Sequence, residues 1–506
     1  MYKTKKVGVG MRLKKLIDCV GENYVGCNQR DWDREITCLS IDSRQTENNA
    51  LFFCLCGSCF DGHDYAATAV KNGAVAIVCQ RELPIDVPQI LVKNTRKALS
   101  FISSRFYGEA NEHLSIVAVT GTNGKTTTAH VLAAILQSAG YKTGIIGTLG
   151  AKYAGKEVVC DLTTPDPIQL HKIFADMFLN GVQWVVMEVS AHALYYYKTE
   201  GIAFKACIFT NLSQDHLDFF LDLDAYKAAK KRLFFDSDNG VAILNGDDET
   251  GRKWGNERLQ MKEFADKTFF YGLQEPADAF AVVTDESLSG SHCVFNVNDE
   301  ICRAELSLTG KHNIYNALAA ATCAITLGID VVSVEKGLAA LRGVRGRLER
   351  VANYRGADIF VDFAHTPDGL EKSLTALKKY CKGRLFCLFG CGGNRDKGKR
   401  ALMGKIAAKN ADFSVLTSDN PRYEDPLDIL TEIEKGYRSV SKKYVIVSDR
   451  ERAIEYALGC LHKGDVLLVA GKGGERYQEI MGIKYDFDDN DIIEKWIKKG
   501  NRSGSI

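Results

Sequence analysis

Short apolar runs alternate with stretches of helical periodicity along most of this chain, and the texture changes at two places. Up to about Glu109, runs such as Ala74–Cys79 (AVAIVC) stand between helical segments, the pattern of a small α/β unit. A second unit opens on the apolar strand Ile116–Val119, passes a glycine-containing turn and enters Thr126–Ser138, where Val131, Leu132, Ile135 and Leu136 recur at helical spacing. Strands are predicted again at Trp184–Val189, Ala206–Thr210 and Val241–Leu244, so a mostly parallel sheet covered on both faces is expected. Residues 262–308 break the rhythm. There Thr268–Tyr271, Ala279–Val283 and Cys293–Val297, separated by turn formers, predict a small antiparallel addition before the helix Ile314–Thr326. After Arg342 the alternation resumes with Ile359–Phe363, Leu385–Phe389, Phe413–Thr417, Tyr444–Val447 and Val466–Ala470. The expectation is an α/β protein of three domains, 1–110, 111–342 and 343–506, with a frayed tail at Gly500–Ile506.

Size and charge fit this division. A chain of 506 residues divides into three domains at roughly 150 residues each. Sixty-five Lys+Arg against 64 Asp+Glu remove the bulk electrostatic reason to bind nucleic acid or a membrane surface, so any anionic ligand must be met locally. No apolar run approaches the ~20 residues of a membrane span. Met1–Val20 carries no apolar core before a cleavage site, so a cytoplasmic location is expected. Sixteen scattered cysteines suit a reducing compartment. The cluster Cys54, Cys56 and Cys59, with His63 as a fourth ligand, admits a zinc site, but the apolar run from Ala50 to Cys59 favours a buried strand.

The chemistry concentrates in Gly121-Thr122-Asn123-Gly124-Lys125-Thr126-Thr127, between the strand and the helix of the second unit. In that context glycines let backbone N–H groups approach a polyphosphate, the helix N-terminus adds partial positive charge, Lys125 neutralises the β/γ oxygens and the Thr126 hydroxyl can ligate Mg²⁺. ATP is the expected occupant. The first glycine of the usual P-loop pattern falls at Val119, so the loop is a variant; the alternative is a glycine turn with a surface lysine. Glu188 ends one predicted strand and His216 follows another, and ligands gather at the C-terminal ends of parallel strands. Glu188 suits Mg²⁺, whereas His216 reads either as a site residue or as a hydrogen-bonded core histidine. In Ala225–Phe234, Tyr226, Lys230 and Leu233 share a helical face that Lys227 and Lys231 avoid, so Lys230 leans inward or snorkels along apolar surface.

These residues resemble the Mur ligases, which build the peptide stem of bacterial peptidoglycan. Gly121–Thr127 looks like their phosphate loop, Thr210-Asn-Leu-x-x-Asp-His216-Leu-Asp like their metal-side motif, and Tyr226-Lys-Ala-Ala-Lys230 like the segment whose lysine is carbamylated. The resemblance implies catalytic roles for Lys125, Glu188, His216 and Lys230, and Mg²⁺ on Thr126, Glu188, His216 and the Lys230 carbamate. Leu39-Ser-Ile-Asp42-Ser43-Arg44 and Gly57-x-x-x-Asp61-Gly62-His63 resemble a uridine-binding N-domain. Thr163-Thr164-Pro165 and Glu188-Val-Ser190-Ala-His192 resemble muramoyl-peptide contacts, so Ser43, Thr163, Thr164, Ser190 and Lys198 are implied to hold UDP-N-acetylmuramoyl-L-alanyl-D-glutamate. Asn313-Ile-Tyr-Asn316, Gly346-Arg347-Leu-Glu349 and Val361-Asp362-Phe-Ala-His365 resemble the nucleotide-side, hinge and C-terminal-domain segments, which implies ATP contacts at Asn313, Arg347 and His365. The fold implied is a uridine-binding α/β N-domain, a P-loop-type ATPase domain and a Rossmann-like C-terminal domain, acting as a monomer.

Ser418-Asp419-Asn420-Pro421-Arg422 resembles the motif of members that add meso-diaminopimelate, and chemistry supports it independently. A guanidinium fork matches the distal carboxylate of that substrate and would repel the ammonium of lysine. Arg395, Asp419, Asn420, Pro421, Arg422, Gly471 and Glu475 are the implied amino-acid contacts. The sequence departs from the family pattern at Gly474, Ala191, Lys198, Phe363 and Phe219-Phe220, where histidine, serine, arginine, tyrosine and Tyr-His are usual. The implied reaction phosphorylates the D-glutamate γ-carboxylate and aminates the acyl phosphate. Lysine as third residue, a folylpolyglutamate synthetase, a peptidoglycan amidotransferase subunit and a non-enzymatic ATP sensor are the rival readings.

Overall fold

The computed structural model describes residues 10–20, 24–25, 32–57, 60–213, 219–220, 222–235, 240–274 and 277–503. The chain forms two compact units, Met1–Ala118 with Tyr141–Cys207 and Ala229–Gly240, and Val119–Gly140 with Ile208–Ala228 and Val241–Ile506.

The first unit contains a five-stranded sheet of β1 (Tyr24–Val25), β2 (Cys38–Ser40), β3 (Ala50–Phe53), β4 (Ala74–Cys79) and β5 (Gln89–Leu91), in the order β1-β5-β4-β3-β2. All but the β1–β5 pair run parallel. Alternate residues supply two cores: Leu51, Phe53, Ala76 and Val78 on one face, Ala50, Phe52, Ile77 and Cys79 on the other. A strand buried on both faces has no polar side, which explains its unbroken apolar run. The run from Ala50 predicts strand as far as Cys59. Instead the strand stops at Phe53, because Leu55 and Gly57 enter a turn in which Gly62 N–H donates to the Leu55 carbonyl and Gly57 N–H to that of Phe60. Cys59 lies outside the described residues.

Helix α1 (Thr95–Phe106) is capped by the Asn94 side chain and leads to β6 (Ser115–Thr120). After β6 come α2 (Lys125–Ser138), β7 (Thr143–Gly147), β8 (Gly150–Tyr153), β9 (Lys156–Val158), α3 (Pro167–Leu179), β10 (Trp184–Glu188) and α4 (Ala191–Tyr195). The strands follow the order β9-β8-β7-β10-β6. Another run, β11 (Ala206–Phe209), β12 (Val241–Asn245), β13 (Thr268–Gly272), β14 (Ala279–Ser287), β15 (Gly290–Val297) and β16 (Glu300–Leu306), pairs in chain order, with α5 (Leu223–Phe235) between β11 and β12. Here the expected antiparallel addition is corrected. β13 and β14 continue the parallel pairing begun by β12, and only β14-β15-β16 is antiparallel. β16 was missed because its outward positions are charged, with Glu300, Arg303 and Glu305 around buried Cys302, Ala304 and Leu306.

Helix α6 (Lys311–Thr326) precedes a six-stranded sheet of β17 (Glu349–Tyr354), β18 (Ala357–Asp362), β19 (Leu385–Phe389), β20 (Phe413–Leu416), β21 (Tyr444–Ile446) and β22 (Val466–Ala470), ordered β17-β18-β22-β19-β20-β21. Only β17 is antiparallel to its neighbour. Alternation again fills two cores, Leu385, Cys387 and Phe389 facing one way and Phe386 and Leu388 the other. A hairpin, β23 (Tyr477–Ile480) and β24 (Ile483–Asp486), follows β22. A helix runs over Asp489–Ser503 and takes in the first part of the tail expected to fray, Gly500–Ile506, whose residues 504–506 lie outside the described residues. No helix among the described residues is long and apolar enough to cross a membrane.

Candidate active site

The phosphate loop joins β6 to α2, and its glycines hold conformations that other residues adopt at a cost. Gly124 caps α2 at φ 89°, and a Cβ there would stand 2.3 Å from Asn316 Oδ1. The loop is stitched to the segment after β11: Thr122 N–H donates to the Asn211 carbonyl (2.8 Å), Asn123 N–H to Asn211 Oδ1 (3.1 Å), and the Thr210 hydroxyl to the Asn123 carbonyl (2.6 Å). The Thr122 hydroxyl accepts from Ser213 N–H and lies 3.2 Å from the Tyr226 hydroxyl. Lys125 Nζ arches back to the Gly121 and Thr122 carbonyls at 3.0 and 2.9 Å. Thr126 and Thr127 are buried at the start of α2.

Residues far along the chain complete this cluster. Arg347 Nη2 donates to Thr126 Oγ1 (2.8 Å), with its guanidinium 4.5 Å above the Phe363 ring. That ring packs edge-on against His365, whose Nδ1 bonds the Phe363 carbonyl. Asn123 Nδ2 donates to Asp368 (2.8 Å). Asp362, at the end of β18, accepts the amides of Leu348 and Ala364; burial raises its pKa, opposed by Arg347 and by these amides. Asn313 is buried, its side chain bonding the Thr309 carbonyl and Asn316, so it supports the loop through Asn316. The i, i+3 spacing of Asn313 and Asn316 puts both asparagines on one helical face, which is the sequence signal for this pair.

The implied amino-acid contacts converge at the C-terminal ends of β19, β20 and β22, where parallel sheets bind ligands. A Cβ on Gly392 would lie 2.9 Å from Arg422 Nη1 and 3.7 Å from Arg395 Cγ, so the Arg422 guanidinium, which also donates to the Gly393 carbonyl (2.9 Å), and the aliphatic stem of Arg395 border this glycine. Gly393 lies so close to the Pro421 carbonyl that a Cβ would reach it at 1.9 Å. Asp419 is buried beside Gly471; burial pushes its pKa up, but the Lys472 and Arg450 cations prevail and hold it below the usual carboxylate range. Arg450, paired with Asp489 (2.7 Å), donates to the Ser418 and Ala470 carbonyls and ties the ends of β20 and β22 together.

The Asp419–Arg422 turn is also sewn to β23, which sequence reading missed. Gln478 Nε2 donates to the Asp419 carbonyl, Glu479 N–H to Asn420 Oδ1, Arg422 N–H to the Glu479 carbonyl and Arg422 Nε to Glu479 Oε2. Gly474, where the family pattern has histidine, sets its backbone N against Gly346, on which a Cβ would stand 2.1 Å from it.

In the first unit, Glu188 is buried at the end of β10, and its two oxygens accept the N–H (2.9 Å) and hydroxyl (3.1 Å) of Thr148. Thr163 lies 3.3 Å from the Thr148 hydroxyl, Thr164 donates to the Glu188 carbonyl (3.0 Å), and Ser190 N–H donates to Thr164 Oγ1. Lys198 pairs with Asp166 (2.7 Å), two residues after Thr164. Ser43 stands apart on the 3-10 turn after β2, its carbonyl held by Asn72. Lys230 is 1% exposed, which excludes snorkelling to water. His216 lies outside the described residues.

Cys56, Asp61 and His63 place potential metal ligands within 4.8 Å of one another. His63 Nε2 accepts the Gln80 N–H (2.9 Å), so Nδ1 carries the proton donated to Asp61 (2.6 Å), and neither nitrogen offers a lone pair to a metal.

Three family models match: Mur ligase family, catalytic domain, over residues 35–107; Mur ligase middle domain over 119–324; and Mur ligase, glutamate ligase domain, over 346–473. A UDP-N-acetylmuramoyl-L-alanyl-D-glutamate--2,6-diaminopimelate ligase from Bacillus velezensis is 39% identical, across 97% of this chain and 100% of that protein. A relative from Clostridium acetobutylicum, whose name carries the suffix 1, is also 39% identical, over 97% and 100%. A solved structure of a ligase of that name superposes with TM-score 0.67 at 31% identity, covering 94% of this chain and 97% of its own. Folylpolyglutamate synthase from Mycobacterium tuberculosis shares the fold at 17% identity and TM-score 0.61, over 74% of this chain and 92% of its own. With relatives this similar along nearly its whole length, the chain belongs to the Mur ligase family.

Proposed function

We propose that this chain is an ATP-dependent ligase that joins meso-diaminopimelate to the D-glutamate γ-carboxyl of UDP-N-acetylmuramoyl-L-alanyl-D-glutamate, in the cytoplasmic assembly of peptidoglycan precursors. The observation that carries this reading is the Arg422 guanidinium, held beside Gly392 by Glu479 and the Gly393 carbonyl, a planar cation suited to a distal carboxylate that lysine lacks. In this reading residues 1–110 hold the uridine end, 111–342 the nucleotide and 343–506 the incoming amino acid.

The carboxylate of the acceptor is a poor electrophile. Transfer of the γ-phosphoryl group of ATP to one carboxylate oxygen yields ADP and an acyl phosphate. An amine of the diamino acid then attacks the acyl carbon, the C–O bond to phosphate breaks, and the amine loses a proton. The obstacle is repulsion between two anions. Lys125 and the amides at the start of α2 supply positive charge for the nucleotide, joined by Arg347 from the hinge and His365, with Asn313 bracing the loop. Thr163, Thr164, Ser190 and Lys198 orient the peptide, and Ser43 contacts the uridine side. Thr126 and Glu188 are hard oxygen donors, and Glu188 is buried with the neutral Thr148 alone, among the described residues, bonding its carboxylate, so each fits Mg²⁺, which would neutralise phosphate charge when bound. His216 would join this donor set. Lys230 is buried on the inner face of α5, a setting that suits carbamylation to an anion for a second ion.

The test incubates the protein with UDP-N-acetylmuramoyl-L-alanyl-D-glutamate, ATP and Mg²⁺, offering meso-diaminopimelate or lysine, and weighs the products. Tripeptide and ADP with meso-diaminopimelate support the reading; preference for lysine, or turnover only with a folate acceptor, overturns it.

A further inference from the structure

Lys472 has no role in the chemistry above, yet it is fully buried in the loop after β22. An ammonium removed from water needs compensation from the protein. Its Nζ donates to Asn420 Oδ1 (3.0 Å) and Glu475 Oε2 (3.2 Å), and the Tyr477 ring lies 5.5 Å away. Asn420 Nδ2 donates to the same Glu475 oxygen at 2.9 Å. Both bonds therefore fall on Oε2, and Oε1 takes part in neither. From Asn420 the contacts continue through Glu479 N–H to Glu479 Oε2 and Arg422 Nε. An acceptor at one end and a guanidinium at the other complement the distal ammonium and carboxylate of a diamino dicarboxylic acid.

We infer that Lys472 is a positioning residue for amino-acid selection: by fixing Oε2 of Glu475 and the amide of Asn420, it holds Glu475 in one orientation with Oε1 available to the distal ammonium of the substrate. This rests on the function proposed above. Without Lys472, Glu475 keeps one bond to a neutral amide and can rotate about it.

The experiment measures steady-state kinetics of the full-length protein with meso-diaminopimelate, ATP and the UDP-linked dipeptide. Lys472→Met is expected to raise KM for meso-diaminopimelate about 20-fold, to leave KM for ATP and for the dipeptide within about twofold, and to narrow the preference over lysine. In a Glu475→Gln background the added Lys472→Met change should have no further effect, because its route is already cut. An unchanged KM for meso-diaminopimelate, a uniform rise in all three KM values, or an independent effect in the Glu475→Gln background overturns the inference. Should Lys472→Met alone not fold, the double variant, which loses both charges, carries the comparison with Glu475→Gln. A wild-type protein that makes no product with meso-diaminopimelate refutes the proposed function itself; an active wild type with an indifferent Lys472→Met refutes only the role of Lys472.

Discussion

The proposed phosphate loop and the proposed amino-acid turn both follow the C-terminal ends of strands, yet they are built in opposite ways. The loop is one contiguous heptapeptide whose work falls on glycine conformations and main-chain groups, with Thr210, Asn211 and Asn316 bracing it. The turn is a composite: Gly392–Arg395, Asp419–Arg422, Gly471–Glu475 and Gln478–Glu479 come from separate stretches and are joined largely by side chains. The first arrangement suits a polyphosphate met by main-chain groups. The second leaves many independent positions at which a changing substrate can be matched.

The difference is most easily broken at Lys125. Replacing it with alanine should lower ADP formation by about a thousandfold or more, while meso-diaminopimelate still binds in isothermal titration. Arg422→Ala should do the reverse, raising KM for meso-diaminopimelate by about 10- to 100-fold, as expected for loss of a charged hydrogen bond, with KM for ATP unchanged. Gly124→Ala tests the main-chain character of the loop. The φ of 89° and the close Asn316 oxygen should cost about 2 kcal/mol of stability, read by denaturant unfolding, together with weaker nucleotide binding.

Acid sharpens the comparison with the smallest effect. Burial, with help from Lys372, depresses the pKa of His312, at the start of α6, from 6.5 to about 4. The unfolded chain therefore takes up that proton first, so the contribution is complete above pH 6.5 and is lost as pH falls through about 4. Beside the amino-acid turn, Arg400 holds Glu424 at about 2, so that contribution is complete above pH 4.5 and survives until pH falls through about 2. Amide protection factors should fall around α6 between pH 6.5 and 4, by about 1–2 kcal/mol of local stability, before any change at Asn394 or Arg400.

This contrast also governs what the sequence makes legible. Strands buried on both faces, such as Leu385–Phe389 and Val466–Ala470, announce themselves as apolar runs and were placed with the same bounds that the structure gives. β16 did not, since its charged outer face dilutes the run. At the phosphate loop a local pattern stands in for the three-dimensional one, and Asn316 was recoverable from its helical spacing. Arg450, Lys472 and Glu479 were not: each acts across the fold on a partner tens of residues away, and no periodicity of its own stretch marks it. Thr148 escaped for the same reason, meeting Glu188 only once β7 and β10 pair.

Arg422 occupies a left-handed conformation, φ 54°, with its N–H given to Glu479 and its carbonyl taken by Met481. Its reach is therefore set by the neighbouring strand as much as by its own rotamer. Retargeting this ligase to another diamino acid calls for transplanting the Tyr477–Asp486 hairpin along with the tetrapeptide it grips, and a lone exchange at the arginine would graft a new head onto an old shoulder.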